Sequence, residues 1–196
     1  MHLVFDILQG IGLAAAVGIR PFLPALAAGA LAAGNVEIHF TRTDFSFLQS
    51  APFLLAMAVG AIVLALGERK LGAERFERGP LRLALGAAAL ALGALLFAGS
   101  LARGHYTVWP GIVGGLVCAA IAILATVPLL ARVRGRLDRE AAGTLTAYAE
   151  GVALGLAVLS VVAPPVGLLG LAWLVWLLVA GRKREGQKYA GLRILR

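Results

Sequence analysis

The chain has 196 residues, is 60% hydrophobic and only 14% charged, and carries a formal net charge of +8 at pH 7, with a mean hydropathy of +0.89. Soluble domains are nearer half apolar and a quarter charged, so a soluble fold is excluded. The excess of Lys and Arg falls in short segments between long apolar blocks, the pattern of positively charged cytoplasmic loops. It therefore does not indicate nucleic acid, and anionic lipid headgroups are its natural partners.

The first apolar block, Leu3–Gly34, is too long for one straight span. As a single helix it would measure about 48 Å, against a hydrocarbon core of about 30 Å. It must break, and Gly18-Ile-Arg-Pro is the place, because proline removes a helical hydrogen bond and disfavours helix at the residue before it. The block is then either a span followed by a half-helix, or a tight hairpin of two short spans. The N-terminal stretch MHLVFDILQG has no Lys or Arg and carries Asp6, so it does not read as a signal peptide.

Five further spans follow: Pro52–Gly67, Pro80–Ala102, Trp109–Ala131, Thr144–Ala163 and Pro165–Gly181. Pro52, Pro80 and Pro110 stand near helix starts, where a missing N–H costs nothing. The expected fold is an all-α polytopic transmembrane helix bundle. It has six spans with a broken first segment, or seven spans if the first block is a hairpin. If that block crosses once, three spans precede His105 and three follow it, the arrangement of an inverted repeat.

Fifteen of the eighteen Lys and Arg residues lie in the segment Glu68–Arg82, the segment Arg132–Glu140 and the tail after Gly181. These three segments share one side of the membrane, which the positive-inside rule assigns to the cytoplasm. The expected location is the inner membrane of a bacterium, with a cytoplasmic C-terminus. Residues 1–181 form the membrane domain and 182–196 a basic tail.

Charged residues within spans are costly and default to functional candidates. Arg20 lies at the break in the first block, Glu68 ends the span AIVLALGERK, and Glu150 sits in TAYAEGVALG. A hairpin would bring Arg20 to the level of either glutamate. Gly18, Pro21 and Pro24 complete the candidate site, since a broken helix frees backbone groups that transporters use at their binding sites. The plainer reading is that an ion pair fixes helix packing, with Glu68 snorkelling beside Arg69 and Lys70 and the prolines only kinking a packed helix.

The sequence holds no HExxH, GxSxG, Walker A or CxxC motif, and His2, His39 and His105 lack metal-ligand spacing. No enzyme activity, metal or cofactor is expected. The single cysteine, Cys118, cannot form an internal disulfide. Two glycine pairs, Gly111/Gly115 and Gly151/Gly155, allow close helix approach, within the chain or between copies in a homo-oligomer.

The stretch GIRPFLPALAAGALAAG resembles the opening motif of the bacterial membrane-protein family known as domain of unknown function 4126. An FSFLQSAP segment, a span ending in Glu68, a span opening with AYAEG and a tail KYAGLRILR follow in that family's order. The resemblance implies a small multi-helix inner-membrane protein in which the Gly18–Pro24 turn, Glu68 and Glu150 match recurrent family features. The stretch RKLGAERFERG after Glu68 is more basic than its family counterpart. The leading expectation is a small transporter, channel or lipid translocase, taking an ion or lipid at Arg20, Glu68 and Glu150. The alternative is a non-catalytic scaffold or assembly partner that packs through small-residue helix faces.

Overall fold

Proline and glycine punctuate the chain where the helices begin. A computed structural model describes residues 2–36, 38, 40, 43–71, 79–137 and 139–190. Within them run α1 (His2–Ile19), α2 (Phe22–Ala33), α3 (Ala51–Leu71), α4 (Gly79–Arg103), α5 (Trp109–Arg134), α6 (Arg139–Val162) and α7 (Pro165–Ala190), with a 3-10 turn at Ser46–Gln49. Pro52, Pro80, Pro110 and Pro165 all occupy the first two helical positions, where no intrahelical donor is lost.

Helices α3 to α7 each contain a window long and apolar enough to cross a membrane, with mean hydropathies of 1.7 to 2.5. The protein is a multi-pass, all-α helix bundle. The five later spans begin within a few residues of where hydropathy places them. At the C-terminus α7 continues to Ala190, so residues 182–190 of the basic segment are helical. His39, Arg42, Arg75, Arg78, Arg193 and Arg196 lie outside the described residues.

The first block is a hairpin. Its turn is at Arg20-Pro21, and α2 runs back the way α1 came. The direction follows from the neighbours. Asp6, near the start of α1, pairs with Arg103 at the end of α4, and Gly18 approaches Ala119 and Ala122 midway along α5. Phe22 then packs at Gly60, in the middle of α3, while Gly29 meets Phe53 and Leu54 at its start. The span-plus-half-helix reading therefore fails, and its alternative, a tight hairpin of two short spans, holds only in the reversal of the chain: α1 and α2 are shorter apolar helices and are not among the five long enough to cross. Among the described residues four helices precede His105 and three follow it, which is not the arrangement of a three-plus-three inverted repeat with a single crossing of the first block.

The two arms of the hairpin are splayed. Helix α1 packs against α4, α5, α6 and α7, whereas α2 packs against α3 and α6. Leu13 to Val17 are all fully buried, so this stretch of α1 is enclosed on every face and its uniform apolarity has a cause. Helix α3 is the opposite case. Its principal contacts are α2 and the 3-10 turn, and only 6% of its apolar window is buried. The chain between α2 and α3 folds inward: Ile38, Phe40 and Leu48 are fully buried, and the Gln49 side-chain oxygen accepts a 2.9 Å hydrogen bond from the Phe40 N–H. That insertion gives the FSFLQ stretch a packing role.

The glycine pairs divide. A Cβ on Gly111 would lie 2.8 Å from the Ala98 backbone, and one on Gly115 would strike the Gly93 backbone, so this pair packs α5 onto α4 within the chain. Gly151 and Gly155 have no atom within 4 Å of an added Cβ.

Candidate functional site

The site grows out of the hairpin turn. The Arg20 N–H still completes a helical bond to the Ala16 carbonyl at 3.1 Å, so Arg20 closes the last turn of α1, where the negative end of the helix dipole favours a cation. Pro21 caps α2 with φ −74° and ψ −43°, and Pro24 falls within the first turn. The first N–H groups of a helix have no intrahelical partner, so both prolines stand where their missing donor is not needed. Gly18 permits the turn to press against α5: an added Cβ would lie 2.6 Å from the Ala119 carbonyl oxygen.

Helical rise fixes the depth. Val17 packs against Gly93 on α4, which lies about 15 Å from Arg103 and about 16 Å from Arg82 at the ends of that helix. The hairpin tip therefore sits about 5 Å past mid-depth. It is displaced toward the end that carries Arg69, Lys70, Arg82, Arg132 and Arg134.

There Arg20 meets both glutamates. Its Nη1 donates to Glu68 Oε1 at 2.7 Å and its Nη2 to Glu68 Oε2 at 3.5 Å. On the other side its Nε stands 3.6 Å from Glu150 Oε1. The Arg20 side chain is 10% exposed, that of Glu68 9% and that of Glu150 27%. The Glu68 contact has the two-pronged geometry typical of arginine and carboxylate. The Glu150 contact is ionic, and the buried Nε–H makes no hydrogen bond. One guanidinium thus joins two helices through unequal contacts, tight to α3 and loose to α6.

Beside this triad lies a cavity of about 520 Å³, bounded by the hairpin tip, α3, α4 and α5. Gly18, Arg20, Pro21 and Glu68 line it; Glu150 and Pro24 do not. Most of the wall is aliphatic, with Arg82 and Thr126 as further polar members. The Thr126 hydroxyl donates back to the Ala122 carbonyl at 2.7 Å. A family model, Domain of unknown function (DUF4126), matches residues 7–184, a range that contains every one of these residues. The chain belongs to the DUF4126 family. No curated protein matches, and no solved structure does. The GIRP turn, Glu68 and Glu150 are distant in sequence, yet in this DUF4126 chain they meet at one point.

Sequence reading singles out Arg20, Glu68, Glu150, Gly18, Pro21 and Pro24, and the structure gathers all six around the hairpin tip. It does not single out Arg82 or Thr126, which look like an ordinary loop cation and an ordinary hydroxyl within a span. It also leaves Asp6 and Arg103 unconnected, although they form an ion pair that ties the start of α1 to the end of α4. Close by, the buried Gln9 amide donates to the Val161 carbonyl at 3.3 Å. The available signal was a carboxylate at the start of one apolar block and an arginine at the far end of another.

Proposed function

We propose that this DUF4126 protein is a small transporter of the bacterial inner membrane, with its substrate site in the cavity at the hairpin tip and its basic end in the cytoplasm. One observation carries the reading. The peripheral helix α3 is tied at its basic end to the buried hairpin by Arg20–Glu68, while a second carboxylate, Glu150, waits 3.6 Å from the same guanidinium. Transfer of Arg20 from Glu68 to Glu150 frees that end of α3, which has little other packing to hold it. Release of α3 changes which side of the membrane the cavity faces.

The charge count supports coupling. One guanidinium and two ionised carboxylates sum to −1 inside a membrane, where uncompensated charge is costly. A proton or a monovalent cation joining the triad compensates that charge and biases Arg20 toward one carboxylate. The positive-inside rule supports the orientation. The scaffold reading retains one supporting observation, the open space around Gly151 and Gly155 on α6, which would admit a partner helix.

The test is alternating access. An added Cβ on Gly86 meets no atom within 4 Å, and Gly86 lines the cavity. Gly86→Cys in a Cys118→Ala background therefore places a thiol at the site without a clash. A membrane-impermeant thiol reagent, applied to sealed oriented vesicles, should label it from the basic side. It should label it from the opposite side as well, with the balance altered by pH and by Glu150→Gln. Labelling from one side alone under every pH and potential would refute transport and leave the scaffold.

A further inference from the structure

Away from its basic end, where Gly86 lies about 6 Å along α4 from Arg82, the cavity has the wrong lining for water. At about 30 Å³ each, about seventeen waters would fill a 520 Å³ space, and each needs two to four polar partners. The wall offers few: the self-paired Arg20–Glu68, Arg82, and a Thr126 hydroxyl already bonded to the backbone. A void lined by leucines does not stay empty beside fluid hydrocarbon, because close packing is recovered by filling it. Its volume and lining match small-molecule sites, which run from about 300 to about 1,000 Å³ and are mainly apolar with a few orienting polar groups.

The mouth faces lipid. Leu83 and Leu124 line the cavity and are 75% and 50% exposed on the outside of the bundle, and the principal contacts of α3 are with α2 and not with α4 or α5. At the basic end of this gap stands Arg82, exposed, in the first turn of α4, a turn without acidic residues. Among the described residues no carboxylate forms an ion pair with it. It lies about 10 Å along α4 from Ala89, which lines the cavity at the level of the tip.

We propose that this cavity holds one anionic phospholipid from the basic-side leaflet. Its acyl chain lies against the leucine wall below the hairpin tip, and its headgroup phosphate rests on Arg82, whose planar donors suit a phosphate. The lipid enters sideways between α3 and α4, the gap that the Arg20–Glu68 tie narrows. This names the substrate class of the site proposed above and rests on that reading only for the lipid's being moved; occupancy stands by itself.

Native mass spectrometry of the whole chain, in detergent with phosphatidylglycerol and phosphatidylcholine of identical chains, reads occupancy without reference to transport. The wild type should retain one phosphatidylglycerol in preference to phosphatidylcholine. Arg82→Gln should cut that preference about fivefold, the value of one basic residue near an anionic surface, and Arg82→Lys should keep most of it. Gly86→Trp, which projects into the open space of the cavity, should abolish retention of both lipids. No retention, equal retention of the two lipids, or retention indifferent to Arg82→Gln and Gly86→Trp would each overturn the proposal, the last by placing the lipid on the general basic surface. Retention as expected, together with labelling of the Gly86→Cys variant from one side only, would leave the lipid as a fixed structural occupant and remove the transport reading alone.

Discussion

The unequal grip of Arg20 on its two carboxylates makes a quantitative prediction about their removal. At an effective dielectric of about 20, the 2.7 Å contact with Glu68 and the 3.6 Å contact with Glu150 correspond to about 6 and about 4.6 kcal/mol of attraction. Distance therefore separates the two carboxylates little, and the hydrogen bonds that only Glu68 makes separate them more. Glu68→Gln should cost about 2 kcal/mol, the value of hydrogen bonds to a charged group, because Glu150 still compensates the guanidinium. Glu150→Gln should cost less, about 0.5–1 kcal/mol, since no hydrogen bond is lost. The double variant strands a buried cation and should cost about 4–5 kcal/mol, in the range for removing the partner of a buried ion pair. The excess over the sum, about 1–2.5 kcal/mol, measures how far each glutamate substitutes for the other. Unfolding in mixed micelles of increasing SDS content, followed by helix content, gives all three values. A double variant equal to the sum of the singles would refute the shared-cation argument. A Glu150→Gln loss as large as that of Glu68→Gln would refute the ranking.

Other consequences follow from the packing. Gly115→Leu should destabilise the bundle by about 3 kcal/mol or more, since its side chain would collide with the α4 backbone; Gly151→Leu should change stability by less than about 0.5 kcal/mol, both read in the same SDS titration. Gly18→Ala, whose Cβ would lie 2.6 Å from the Ala119 carbonyl, should cost about 1–3 kcal/mol and change the labelling rate of the thiol introduced at position 86, because the shifted tip carries Arg20 with it. Asp6→Asn should cost about 2–3 kcal/mol by removing the buried charge that pairs with Arg103. It should leave the relative labelling of the position-86 thiol from the two sides unchanged, since that pair is at the other end of the bundle.

Much of this architecture was legible because hydropathy and proline placement act locally. The five later spans depend on runs of apolar residues and on prolines at their starts, and both signals survive without knowledge of neighbours. The break at Gly18-Ile-Arg-Pro was equally local. The direction of the chain beyond the break was not, because a proline states that a helix ends and not where the next one points. That direction is set by packing of α2 against α3 and α6, a contact between residues with no pattern in common. The triad was half legible: charge in an apolar run marks Arg20, Glu68 and Glu150 one at a time, and only the hairpin makes them neighbours. Arg82 escaped notice because loop cations are common and its position at a cavity mouth depends on how α3 stands apart from α4. Gly111/Gly115 and Gly151/Gly155 carry the same spacing and opposite environments, so spacing alone could not sort packing from open surface.

The stability of the triad also bears on what it is for. A buried ion pair gains little net stability, because desolvation offsets most of the attraction, and apolar side chains of similar volume often hold a fold as well or better. If Arg20, Glu68 and Glu150 served packing alone, replacing all three together with Met, Leu and Leu should leave the bundle as stable as before and every other property intact. The expectation here is different in one respect. The triple variant should fold and keep its stability to within about 1–2 kcal/mol, since no charge is left unpaired, but α3 should lose the contact that can be transferred to α6. The Gly86→Cys thiol in that background should then react from one side only and with no dependence on pH. A triple variant in which that thiol still reacts from both sides, with the wild-type response to pH, would show that the movement of α3 does not pass through Arg20, and the triad would be packing after all.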